Sequence, residues 1–168
     1  EGQKGVYIKD LYISSTTNKY TYTISAPILD DQSQELMGIV VARIDPKTLN
    51  NIVNLQFTLS KSNESFLINK NLLLLTSSRF LDERAILKQK IDTQNARDCF
   101  DPEEVKLTKE TLSSEIIEKH VTHEVLTNYK DYRGVNIIGT HSHISETDWC
   151  LITKIDKSEV LAPINQLL

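Results

Sequence analysis

The sequence predicts an α+β fold: an antiparallel sheet with helices kept apart from it along the chain. Three observations predict this. Strand-like stretches come in adjacent groups, short polar turns join neighbours within a group, and helix starts marked by capping residues stand between the groups. At 168 residues the chain is long enough for one ordinary domain or two small ones, each with a core.

The first group spans residues 1 to 53. Val6 to Ser14 is aromatic and β-branched. Tyr20 to Ile28 alternates, with Tyr20, Tyr22, Ile24, Ala26 and Ile28 on one face and Thr21, Thr23 and Ser25 on the other. Leu36 to Ile44 is a third strand, separated from the second by the turn Asp30-Asp31-Gln32-Ser33, so the three form an antiparallel meander. Asp45-Pro46 then starts a helix, Asp45 as N-cap and Pro46 at the first helical position, with Leu49, Ile52 and Val53 on its apolar side.

The second group begins near Phe57. Ser65 to Ile68 and Leu72 to Ser77 flank Asn69-Lys70-Asn71 as a hairpin. Asp82 to Lys90 is expected as a short amphipathic helix with Leu81, Ala85 and Ile86 inward. Asp101-Pro102-Glu103-Glu104 repeats the earlier cap, and the polar segment to about Glu118 is a surface helix or ordered loop. Strands follow at about Val121 to Tyr129, Val135 to Ile144 and Trp149 to Ile155. The first two are joined by the turn Asp131 to Gly134, the last two by Ser145 to Asp148. In the final strand Trp149, Leu151, Thr153 and Ile155 share one face, and Cys150, Ile152 and Lys154 the other. Asp156 caps a closing helix to Leu168, with Glu159 completing a capping box and Val160, Leu161, Ile164, Leu167 and Leu168 on one stripe.

Composition narrows the function. Apolar residues at 39% and charged ones at 25% describe a globular chain. Nineteen basic against twenty-three acidic side chains, net −4, with no basic cluster, argue against nucleic acid. No apolar run approaches the roughly 20 residues needed to span a bilayer, and no signal peptide is present. The chain is therefore expected to be soluble as it stands, touching a membrane only through segments outside it. Cys99 and Cys150 read as two buried thiols, a disulfide being the alternative in an oxidising compartment.

Several pieces carry a family resemblance: DYRG-V at Asp131 to Val135, W-LIT-ID at Trp149 to Asp156, and E--API--L at Glu159 to Leu167. With YTYTISAPILD at Tyr20 to Asp30, GIVVARID at Gly38 to Asp45 and SFLIN---LLLTSSRF at Ser65 to Phe80, the chain resembles double CACHE (PDC, PAS-like) domains. These are extracytoplasmic ligand-sensing domains of prokaryotic histidine kinases, chemoreceptors and cyclases. The resemblance implies that residues 1–53 are the last strands and helix of a membrane-distal PAS-like module. It further implies a membrane-proximal module over residues 54–156 and an output helix over residues 157–168. The long helix and further strands that normally open the distal module do not precede Val6, so the resemblance implies either an incomplete module or a sheet completed in some other way by the first fifty residues. The implied function is the extracytoplasmic sensor of a transmembrane receptor, foremost a histidine kinase, binding a small molecule and pairing as a homodimer through helices. Two alternatives stay open: a spacer or interaction module without a small ligand, and a metal-binding module.

Candidate ligand contacts follow from these readings. Arg43 shares a strand face with Met37, Ile39 and Val41; buried there, it would need an anionic partner such as a ligand carboxylate. The resemblance adds that amino-acid-binding relatives carry an aspartate where Arg43 falls. The simpler reading is a solvent-exposed strand end, or pairing with Asp10 or Asp45. Asp10 and Tyr22 join Arg43 as distal candidates; Ser78, Arg79 and Tyr132 are the proximal ones. His141 and His143 fall on one strand face, with His120 and His123 before the facing strand, so His123, His141 and His143 are weak candidates for a metal site, and exposed strand histidines are the plain reading. No catalytic motif is present and no cofactor is expected. Asp30-Asp31 and Glu103-Glu104 are explained by a turn and a helix start, and Asn63-Glu64-Ser65 is a chance sequon.

Overall fold

The computed structural model describes residues 2–54, 60–102, 126–144 and 146–165. The chain divides into two compact units, Glu1–Leu49 and Asn50–Leu168.

The first unit is the expected meander. Strands β1 (Tyr7–Ile13), β2 (Tyr20–Leu29) and β3 (Leu36–Ile44) pair antiparallel in the order β1-β2-β3. The β2–β3 turn forms because the Asp30 carboxylate accepts bonds from the Gln32 N–H (3.0 Å), the Ser33 N–H (2.7 Å) and the Ser33 hydroxyl (3.0 Å). Helix α1 (Pro46–Val53) follows, its first turn capped by Asp45, which accepts from the Lys47 N–H at 2.9 Å.

In the second unit, β4 (Glu64–Asn69), β5 (Leu126–Lys130), β6 (Asn136–Ile144) and β7 (Trp149–Asp156) form an antiparallel sheet in the order β4-β7-β6-β5. The Asn69-Lys70-Asn71 hairpin forms as expected, since Leu75 N–H bonds Leu67 C=O and Asn69 N–H bonds Leu73 C=O. The Asp131–Gly134 turn closes through Asp131 N–H to Val135 C=O at 3.0 Å, and Gly134 takes φ +77°. A short helix not expected from the sequence, α2 (Gln94–Asp98), is capped by the Thr93 hydroxyl accepting from Ala96 N–H. Helix α3 (Lys157–Asn165) lies against β6 and β7. The core packs Phe66, Ile68, Cys150 and Ile152 of the sheet against Leu74, Ile91, Ala96 and Cys99.

Three expectations are corrected. The helix over Asp82 to Lys90 is only a 3-10 turn, Glu83–Ala85; Leu87 then takes φ +57°, freeing Leu87 N–H to bond Leu74 C=O and Leu74 N–H to bond Gln89 C=O. Pairing with the 72–74 segment wins over local helix propensity there. Cys99 and Cys150 are not thiols but a disulfide, Cα atoms 6.3 Å apart, joining the end of α2 to β7. The capping box at α3 is not local: Asp156 N–H bonds the Ser62 hydroxyl at 3.0 Å, and Glu159 turns to residues 61 and 62. The Asp101 to Glu104 cap beyond Pro102, the segment to Glu118, the start of the Val121 strand before Leu126 and the closing helix beyond Asn165 lie outside the described residues.

Candidate functional site

Residues directly opposite in a ladder share a face, so register fixes what lines the inner side of the second sheet. Its rows are Ile68–Cys150–His143, Phe66–Ile152–His141 and Glu64–Lys154–Gly139. The first two rows enter the core; the third places an acid and a lysine inside the same face. A charge there is tolerable only when paired and bonded throughout.

It is. Lys154 Nζ donates to Glu64 Oε1 and Asp131 Oδ2, each at 2.6 Å, and the three side chains are 1%, 2% and 1% exposed. Glu64 also accepts from the Tyr132 hydroxyl (2.6 Å), the Ser78 hydroxyl (2.6 Å) and the Arg79 N–H (3.0 Å). Arg133 Nε donates to Asp131 Oδ2 at 2.7 Å, and its guanidinium also pairs with Asp156 at the start of α3. The Phe80 ring lies 3.9 Å from the Arg133 guanidinium carbon and 5.3 Å from Lys154 Nζ, adding cation–π attraction. Burial pushes the Asp131 carboxyl up, but its bonds to Lys154 and Arg133 outweigh that and hold it below the ordinary aspartate value. Burial, then the bond to the Glu64 carboxylate, pushes the Tyr132 phenol upward. Gly139 completes the row: a Cβ there would lie 2.6 Å from the Tyr129 hydroxyl and 2.9 Å from the Thr153 carbonyl, so no larger residue fits.

The structure therefore gathers Ser78, Tyr132 and the Arg79 backbone around Glu64, as partners of a buried acid. The Arg79 guanidinium leaves the cluster and donates to the carbonyls of Ser60 (3.2 Å) and Lys61 (2.8 Å). Sequence reasoning missed Glu64, Asp131, Arg133 and Lys154. One signal was available: Lys154 falls on the Cys150–Ile152 face, where a lone cation demands partners.

The first unit holds a different arrangement. Lys9, Thr23 and Arg43 stand in one row across the three strands, on one face. The Thr23 hydroxyl is 3.0 Å from that of Tyr12, whose ring carries Lys9 Nζ at 4.4 Å. Arg43 is exposed, and the residues sharing its face, Met37, Ile39 and Val41, are 70%, 39% and 57% exposed, so the buried-guanidinium alternative gives way to the exposed strand end. Tyr22 neighbours Thr23 on β2 and so faces the other way; it does not converge with Arg43. Burial pushes its phenol upward. Asp10 sits in the β1 irregularity between Lys9 and Tyr12 and accepts from Leu11 N–H at 2.8 Å.

Of the histidines, His141 Nδ1 lies 2.5 Å from Oδ1 of the buried Asn95, and His143 stands edge-on to Phe100 at 5.9 Å. His120 and His123 lie outside the described residues, and among the described residues no group of three or more His, Cys, Asp or Glu side chains is set to hold a metal.

Comparison with known proteins places this geometry. The structure is similar to the ligand-binding domain of the Pseudomonas fluorescens chemoreceptor CtaA in complex with L-leucine, with a TM-score of 0.54 and 13% identity over 95% of this chain and 56% of that one. It is similar to the ligand-binding domain of the Pseudomonas aeruginosa PAO1 amino acid chemoreceptor PctB in complex with L-Arg, with a TM-score of 0.53 and 16% identity over 98% of this chain and 55% of that one. The extracellular domain of mmHK1S-Z2, described as a histidine kinase, gives a TM-score of 0.61 and 12% identity, over 94% of this chain and 53% of its own. The chain thus spans just over half the length of each, and at these identities the likeness shows the fold. No curated protein matches by sequence. Among the described residues no helix is long and apolar enough to cross a membrane. The Cache domain model, which describes extracytoplasmic sensor domains of receptors, matches residues 1–164, and the chain belongs to that family.

Proposed function

We propose that this chain is the ligand-reading part of a membrane receptor, foremost a sensor histidine kinase, and that it recognises the carboxylate of a small molecule such as an amino acid. The observation that carries the ligand class is the row Lys9–Thr23–Arg43: two cations flank a hydroxyl on one exposed face. Arg presents a planar fork that matches a carboxylate in two parallel bonds. The amino-acid complexes of the similar chemoreceptor domains support the class. The second unit is a poorer host for the ligand, because Glu64 already occupies the hydroxyls of Ser78 and Tyr132.

In this reading residues 1–53 belong to a membrane-distal module, 54–156 to a proximal one, and 157–168 lead towards a membrane segment, with any catalytic output elsewhere in the receptor. The Cys99–Cys150 disulfide supports an oxidising, extracytoplasmic setting. Signalling then requires that the ligand bind one arrangement of the domain more tightly than another.

A thermal-shift screen against L-amino acids, small carboxylates and divalent metals, with a chelator control, tests this. A carboxylate-specific rise in Tm is expected. A rise with zinc alone would transfer the function to the histidines, and no shift with any compound would overturn the ligand reading in favour of a spacer.

A further inference from the structure

Residues 60–62, which enter β4, are held on both sides of their backbone by side chains from elsewhere in the second unit. Glu159, in the first turn of α3, accepts from the N–H groups of Lys61 and Ser62, each at 2.8 Å, and from the Ser62 hydroxyl. Arg79 donates to the carbonyls of Ser60 and Lys61. Ser62 Oγ in turn accepts the Asp156 N–H, the amide that Glu159 would take in a local capping box. The contacts form a closed circuit. From α3 it runs through Asp156, Arg133, Asp131, Lys154 and Glu64 to the Ser78–Arg79 turn, and from Arg79 through the 60–62 backbone to Glu159.

We propose that Glu159 and Arg79 form a two-sided clasp on residues 60–62, through which a displacement of this entering segment is delivered directly to α3. The geometry favours transmission over passive packing. The segment, bent at Lys61 and Ser62, is gripped at N–H groups and carbonyls alike, and the acid gripping it is part of the helix it would move. Glu159 is held ionised, at about 2, by its bonds to Ser62 and Lys61, so the clasp stays charged at any physiological pH. Its role as an output path rests on the sensor reading; its mechanical coupling does not, and the test needs no ligand.

The test is residue-resolved amide hydrogen exchange on the whole chain, comparing wild type with Arg79→Ala, Glu159→Gln and the double variant. Arg79 donates to the carbonyls of Ser60 and Lys61, neither of which lies in α3. Its removal is nevertheless expected to speed exchange about tenfold at Lys61 and Ser62 and also through the first turn of α3, the scale of one lost charge-assisted hydrogen bond. Amides in the centre of β7 stay protected. In the Glu159→Gln background, Arg79→Ala adds nothing further in α3, because the connection is already cut. Faster exchange confined to residues 60–62 in Arg79→Ala, with α3 unchanged, overturns the clasp; so does an additive effect in the double variant. A sensor that binds no carboxylate while the clasp behaves as described would overturn only the ligand reading.

Discussion

The two units solve the same problem, a half-apolar antiparallel sheet, in opposite ways. The second unit closes on itself: Phe66, Leu67, Ile68, Leu74, Leu75, Ile91, Ile137 and Ile152 are at most 2% exposed, and its buried Lys154 is matched by two carboxylates. The first unit stays open. Among its described apolar side chains only Leu11 and Tyr22 are buried, while Ile28, Leu36, Met37, Ile39, Val40 and Val41 are exposed on both faces of the β2–β3 pair. Alternation thus predicts that a strand has two faces but not that either is covered. Coverage needs partners from distant sequence, which the second unit has in α2, α3 and the 72–91 segment. In the reading proposed above, the second unit is the frame that holds α3, and the first is the sheet whose polar row meets the ligand.

The largest effect expected from breaking the frame is at Lys154. Lys154→Met leaves Glu64 and Asp131 buried without their shared cation and should cost the second unit about 3–5 kcal/mol in urea unfolding, because stranded charges are far more costly than an intact pair is stabilising. A loss below about 1 kcal/mol would mean the cluster is wetter than the structure shows. Next is the disulfide. Cys99 and Cys150 close a loop of 51 residues, and removing the bond should cost about 2–4 kcal/mol by freeing the unfolded chain. Alkylation under native and denaturing conditions checks it: neither cysteine should react before reduction.

Acid gives a smaller, graded effect with a definite sign. Asp131 is held below its ordinary value of roughly 3.9 and Glu159 at about 2, so both contribute stability that is complete above their unfolded values. That stability is lost as pH falls through the lowered folded values. Urea midpoints should therefore be flat above pH ~5 and fall steadily from about pH 4 towards 2. In Glu159→Gln the fall should be shallower; an unchanged slope would contradict the bonds drawn for Glu159.

How much of this was legible in the sequence depended on range. The three strands of the first unit and the start of α1 are set by local alternation and by the Asp45-Pro46 cap, so their expected bounds lie close to those found. The helix expected at Asp82 to Lys90 failed because its backbone pairs with residues 72–74, a contact no local pattern encodes. The capping box at Asp156 and Glu159 had the right residues and the wrong partners, since Ser62, some 94 positions away, took the capping role. Ser78 and Tyr132 read as proximal ligand contacts, whereas the structure bonds both hydroxyls to Glu64, an acid inside a sequon-like triplet. Arg43 was legible as an oddity; its neighbours Lys9 and Thr23 were not, because register across three strands was needed to align them.

The measurement that tests the division of roles most directly is isothermal titration calorimetry of the best carboxylate from the screen, against wild type, Arg43→Ala and Tyr132→Phe. Arg43 is exposed, so its loss should leave stability within about 0.5 kcal/mol. Its loss should nevertheless weaken binding by about tenfold or more, the scale of a charge-assisted bond. Tyr132→Phe should destabilise the frame by about 1–2 kcal/mol and leave the affinity of the folded protein unchanged. Binding that survives Arg43→Ala but is lost in Tyr132→Phe would contradict the account, placing the ligand in the second unit and making the Glu64 cluster a receptor site rather than a frame.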